Sequence, residues 1–241
     1  MTSGKAEQAA LNNAFWCDAV CRTHGIPGEF RDVAWVNTGQ VPRFYPNVVT
    51  LAGVGQAAAH RKHMEEMLGA GRLVGAAIKD SFQTLELRQF GFKFLFEEQW
   101  IHRTAVVPKP EPVVPQVRWE AVTDAAALAD WEAAWSGSPD GAGIFLPALL
   151  ADKDVAIIAA YYEDRIVAGA VASRAAEAVG LSNVFVPAEA SRQFRSGCVA
   201  RAVDAFPGLP LVGYEAGAEL ADMQAIGFEA VGPLTVWIQA D

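Results

Sequence analysis

Cysteine is scarce in this 241-residue chain, with three in all. That is too few for a disulfide framework and fits a reducing cytoplasm. No apolar run approaches the roughly 18 residues a membrane-spanning helix needs. The polar start MTSGKAEQAALNNAF lacks the basic-then-apolar order of an export signal. The expectations are therefore no membrane and a cytoplasmic protein. Basic residues are in the minority, 19 Lys and Arg against 28 Asp and Glu, for a net charge of -9. No Lys/Arg cluster is present that would track successive phosphates, so no nucleic acid is expected as a partner. Charge is sparse overall, at 20% of residues against 52% hydrophobic, which excludes a disordered chain.

What is present is organised around a break. Residues 104–116, TAVVPKPEPVVPQ, hold four of the 13 prolines: Pro108, Pro110, Pro112 and Pro115. Closely spaced prolines favour an extended spacer and forbid a helix or central strand. The reading is a first domain over 1–103, a linker over 104–116 and a second domain over 117–241.

The two sides are similar at an offset of 136 residues. That offset lays Asn47-Val48 on Asn183-Val184 and Phe90-Gly91-Phe92 on Ile226-Gly227-Phe228. Identities are few, but the order of features repeats: short apolar strand, helix, strand, helix, Gly-Phe, then a long apolar strand carrying a Trp. This points to a structural duplication.

Periodicity and punctuation predict the elements. In the first half these are a helix over 5–24, strands over 30–37 and 47–51, a helix over 56–68, a strand over 73–78, a short helix over 81–89 and a strand over 92–102. In the second half they are a strand over 117–122, a helix capped by Thr123-Asp124 and reaching Trp135, and a short helix over 144–151. A hairpin over 155–174 turning at Glu163-Asp164 follows. Next come strand 181–186, helix 191–206, strand 211–214, helix 218–225 and strand 228–239. If the halves are copies, the long strands 92–102 and 228–239 should lie beside 73–78 and 211–214 respectively.

The second-half order, with Val184-Phe185-Val186-Pro187 closing its fourth strand and Met223-Gln224-Ala225-Ile226-Gly227-Phe228 leading into the last, resembles the GNAT N-acetyltransferase superfamily over nearly all of 116–241. The first half looks like the later part of the same fold. The resemblance implies an α/β (α+β) fold: a mixed central sheet of the acyl-CoA N-acyltransferase type, duplicated in tandem. It implies acetyl-CoA or another acyl-CoA as substrate and no metal. The expected partners are a small-molecule acyl donor and an amine acceptor the sequence does not name, and a homodimer stays open.

Such a fold would receive the pantetheine arm along Val184, Phe185 and Val186, and the pyrophosphate at the start of the next helix. The family writes the phosphate loop as Q/R-x-x-G-x-G/A. Here Gln193-Phe194-Arg195-Ser196-Gly197-Cys198 stands in its place, with Ser and Cys for two of the small residues. Arg195, Ser196, Gly197, Cys198 and Val199 are the expected cofactor-binding residues, with Gly197 letting the phosphates approach the backbone. The aligned first-half stretch, Ala57 to Lys62, has no glycine.

Amine acylation needs a base for the ammonium proton and an acid for the leaving thiolate. The tyrosine that many family members place four residues before the Gly of Gly-Phe is replaced by Met223, and by Leu87 in the first half; neither donates a proton. Tyr214 and Glu215, in VGYEAG, are the substitute catalytic candidates, against the plainer reading of a packed ring and a solvated carboxylate. A catalytically inactive module of this fold, binding a small molecule or a protein partner, remains the alternative.

Two other groupings stand out in the sequence. Cys17, Cys21 and His24 share a helix face, and so do His60 and His63, but a buried stripe explains Cys-x3-Cys as well as zinc does. Trp35, Phe44, Tyr45 and Asn47 surround a Pro-containing turn. They are either a pocket wall between the halves or ordinary packing.

Overall fold

The computed structural model describes residues 3–73, 75–111 and 114–239. Pro112 of the linker and Val74 of the expected strand 73–78 lie outside them. The chain opens with helix α1 (Ser3–Thr23), followed by strands β1 (Glu29–Phe30), β2 (Ala34–Val36) and β3 (Val48–Thr50), helix α2 (Ala57–Gly69), β4 (Ala77–Asp80) and β5 (Phe92–Arg103). After the proline segment come β6 (Arg118–Ala121), α3 (Ala125–Ser136), β7 (Val155–Tyr162), β8 (Arg165–Ala175), β9 (Ala178–Phe185), α4 (Ser191–Ala205), β10 (Leu211–Glu215), α5 (Gly217–Ala225) and β11 (Glu229–Gln239).

The eleven strands among the described residues join one mixed sheet in the order β1-β2-β3-β4-β11-β5-β10-β9-β8-β7-β6. The long strands are therefore exchanged relative to expectation. β5 pairs with β10 of the second half, Leu211 opposite Arg103 through Glu215 opposite Gln99. β11 pairs with β4 of the first half, Thr235 opposite Asp80. The two also pair with each other along their length, so the sheet is continuous across the proline segment. Arg103 fixes that segment's start, donating from Nε to Ile226 O at 3.0 Å and from a terminal nitrogen to Pro108 O.

The entries to the two long strands share one hydrogen-bond pattern at the 136-residue offset. Leu87 O accepts from Phe90 N and Phe92 N, and Arg88 O from Gly91 N. Met223 O accepts from Ile226 N and Phe228 N, and Gln224 O from Gly227 N. Gly91 and Gly227 hold φ of 83° and 97°, a region where a Cβ is penalised. The expected helix over 81–89 reduces to a 3-10 turn at Arg88–Phe90. Asp80 explains this: its carboxylate accepts from Leu85 N at 2.8 Å and from Thr84 Oγ1 at 3.3 Å, satisfying the loop without helical bonds.

Helix α1 crosses the sheet with α3 on one face, burying Ala6, Ala10, Ala14, Cys17 and Cys21, whose small side chains allow close approach. Asn12 fixes its position by donating to the carbonyls of Ser173, Ala175 and Ala178 at 3.0–3.2 Å. On the opposite face α2 covers Val48 and Ile78, and α4 with α5 covers Val179, Leu211 and Ile101. α3 starts as expected at Asp124, which accepts from Ala126 N and Ala127 N at 3.0 Å, a cap worth about 1 kcal/mol. Its Trp131 is fully buried and donates to Ile158 O at 2.8 Å. No helix among the described residues is long and apolar enough to cross a membrane.

Candidate functional site

β9 and β10 are parallel neighbours, but their ladder has two registered pairs, Leu211 with Val179 and Val212 with Gly180. Beyond Gly180, β9 runs on to Phe185 while β10 runs on to Glu215. The cause is a bulge. Against β8, Gly169 opposes Phe185 while Val171 already opposes Ser182, so β9 carries an extra residue. Asn183 takes it up with φ 53°, the left-handed conformation Asn tolerates better than most residues. Its side chain accepts from Trp16 Nε1 at 3.2 Å, fastening the bulge to α1.

The gap opens on the α1 face into a cavity of about 610 Å³ whose lining includes Lys79, Phe96, Glu98, Ser182, Asn183, Val184, Tyr214 and Glu215. Phe44 and Trp135 meet edge-to-face at its mouth, ring centroids 6.0 Å apart. Lys79 is 4% exposed. Its ammonium donates to Asn13 Oδ1 at 2.8 Å and lies 4.1 Å from the Tyr214 ring centroid, a cation–π contact. Glu98 comes from β5, which pairs with β10 and β11. One of its carboxylate oxygens is buried without a hydrogen-bond partner. Burial, reinforced by the negative charge of Glu215, pushes its carboxyl up to about 7.

Of the residues expected from sequence, Val184, Tyr214 and Glu215 line this cavity. Glu215 is not a solvated carboxylate: it accepts from Arg195 Nη1 at 2.6 Å, both side chains largely buried. Burial raises its carboxyl even so. Phe185 turns its ring onto Trp131, 5.5 Å between centroids, and Val186 packs beside Phe194.

The helix residues stand differently from expectation. α4 begins at Ser191, so Arg195–Val199 lie beyond its first turn and are not its free amides. Cys198 and Val199 are fully buried, and burial drives the Cys198 thiol up to about 12. A Cβ on Gly197 would lie 2.0 Å from the Trp119 ring; this glycine admits the packing of β6. The open amides are at Ser191–Gln193, where Ala190 supplies no side-chain cap. Beside them is a second cavity of about 530 Å³, lined by Ser191, Arg192, Gln193, Ser196 and Asp222 among others. Arg192 pairs there with Asp222 at 3.1 Å.

In the aromatic group of the first half, Phe44 and Tyr45 line the cavity. Trp35 is core, donating to Asp18 at 3.1 Å, and Asn47 ties Asn37 and Gly39 to Ala77. No cluster able to hold a metal exists among the described residues. His24 is spent on Ile144 O at 2.8 Å. Sequence reasoning missed Glu98, Lys79 and the Asn183 bulge. Alternation along β5 would have put Glu98 on the same face as Trp100.

No protein-family model matches the chain, and no curated protein sequence does. Solved structures do match in fold. A GCN5-related N-acetyltransferase from Kribbella flavida superposes with a TM-score of 0.62 at 14% identity, covering 97% of this chain and 96% of that one. One from Sphaerobacter thermophilus gives 0.55 at 10%, covering 96% and 92%. A GCN5-related N-acetyltransferase-like protein from Streptococcus suis gives 0.52 at 11%, covering 98% of each chain. The fold of this chain, a single mixed sheet with helices on both faces, is that of the GNAT N-acetyltransferase structures.

Proposed function

We propose that the chain is an acyl-CoA-dependent N-acyltransferase that moves an acetyl or other small acyl group to an amine. The observation that carries this reading is the divergence of β9 from β10 after two pairs. It leaves backbone donors and acceptors on two facing strand edges, which suits the amide-bearing pantetheine arm. The uncapped amides of Ser191–Gln193 suit the pyrophosphate. The thioester would then sit where the gap meets the 610 Å³ cavity, with Tyr214 placed to protonate the leaving thiolate. The repeated turns at Gly91 and Gly227 support reading 1–103 and 117–241 as related halves that exchanged their long strands. Three free, buried cysteines suit a reducing cytoplasm.

The competing reading, an inactive module of the same fold, is favoured by Met223. It is 1% exposed, packed in the core, and has no proton to give. Release of free thiol from acetyl-CoA, followed with a panel of primary amines, separates the two. The proposal expects amine-dependent release. Saturable acetyl-CoA binding with release at the buffer rate for every amine would favour the inactive module.

A further inference from the structure

Resting on that acyltransferase reading, we infer that the acceptor is a free amino acid with a large apolar side chain, its ammonium group received by Glu98 and its carboxylate by Lys79. The two side chains line one cavity from different strands, β5 and β4. Neither forms an ion pair among the described residues. Among the described residues the buried Lys79 has one hydrogen-bond partner, the neutral Asn13, and otherwise faces the Tyr214 ring, so its ammonium keeps donor capacity for an anion. Glu98 keeps a buried oxygen with no partner. A cation and an anion that share a cavity without pairing with each other complement a zwitterion, and burial of each is costly until it is met. The wall also carries Arg43, Ser182, Asn183 and the Arg195-paired Glu215, but Leu95, Phe96, Leu181 and Val236 give it an apolar stretch, which suits a side chain of that kind.

The charges around Glu98 are Lys79 from β4, Glu215 from β10 and Glu219 from α5. Their sum with burial holds its proton affinity close to neutral, as a base for an ammonium group requires. Glu98 takes one proton from the ammonium. The freed nitrogen lone pair forms the C–N bond to the thioester carbonyl carbon, and the C–S bond breaks with its electron pair leaving on sulfur. The second nitrogen proton goes, directly or through Tyr214, to the thiolate. The products are the N-acyl amino acid, free CoA thiol and one proton, which Glu98 returns to water.

The test compares L-phenylalanine with phenethylamine and phenylalaninamide as acceptors of acetyl-CoA, in the wild type, Lys79→Met and Glu98→Gln. It also follows L-phenylalanine binding by calorimetry without CoA. Expected is a preference of at least about tenfold in kcat/KM for phenylalanine over both analogues. Lys79→Met should remove that preference by raising KM for phenylalanine alone. Glu98→Gln should lower kcat about 100-fold, raise KM for all three amines, and remove the rise in rate through about pH 7. A wild type that acylates the amine and the amide as well as the amino acid would overturn the inference and leave the acyltransferase reading intact. A chain that never binds acetyl-CoA overturns that reading instead. The CoA-free titration then still decides the cavity: saturable phenylalanine binding lost in Lys79→Met supports the zwitterion site, and no binding, or binding unchanged by the substitution, refutes it.

Discussion

Arg195 of α4 and Glu215 of β10 meet at 2.6 Å as a largely buried ion pair beside the gap between β9 and β10. A sequence reading gives them separate duties, one in holding the donor and one in catalysis, yet each is the other's principal partner. Buried pairs contribute little net stability but are costly to break from one side. Arg195→Met should destabilise the fold by about 3–5 kcal/mol, measured by urea unfolding at neutral pH. The loss should shrink as the pH is lowered, because Glu215, its carboxyl already raised by burial, takes up a proton and no bare charge remains.

Gly197 is a packing residue in this structure. A methyl group there would overlap the Trp119 ring, so Gly197→Ala should cost about 1–3 kcal/mol through displaced side chains. Any loss of ligand affinity should follow the loss of folded protein in a thermal melt. A variant with native stability and abolished acetyl-CoA binding would instead put Gly197 at the phosphates.

The bulge at Asn183 can be tested by backbone preference. Asn183→Gly keeps the left-handed conformation and loses only the bond from Trp16, so acetyl-CoA affinity should change less than about threefold. Asn183→Val places a β-branched residue at φ 53°, a strain of about 1–3 kcal/mol. It should reduce both stability and affinity, read by melting and calorimetry on the same samples.

Glu98 should leave a signature on stability as well as on rate. Its carboxyl is raised from 4.5 to about 7 in the folded protein, so the native state binds more protons than the unfolded state between those values. Stability from this group is therefore greatest below about pH 4.5 and falls as pH rises through 7. Glu98→Gln should raise Tm by about 2–4 °C at pH 8, and the gain should vanish by pH 4.5. An equal gain at both pH values would mean that packing, not charge, sets the difference.

Much of the fold was legible because its signals are local. Asp124 caps α3, alternating apolar runs mark the strands, and the Gly-Phe pairs at 91–92 and 227–228 form matching turns. The exchange of β5 with β11 was not legible, since both are long apolar strands with similar flanks and nothing local states which half each will join. The site suffers from the same gap. Tyr214, Glu215 and Val184 were found because they end strands whose order resembles a known fold. Lys79 and Glu98 acquire meaning only when β4 and β5 are brought around β11 and against β10. The start of α4 at Ser191 matches the expected helix over 191–206, but the sequence pattern puts the phosphate loop one turn further along, at Arg195–Val199, because Ser191-Arg192-Gln193 carries no glycine to mark it.

The most direct test of the central claim, that an acyl-CoA lies between the diverging ends of β9 and β10, is an amide chemical-shift titration of the labelled protein with acetyl-CoA. The predicted result is saturable shifts at 181–185, 213–215 and 191–193, reduced in the Arg195→Met variant. Shifts clustered elsewhere, or none at millimolar acetyl-CoA, would contradict it.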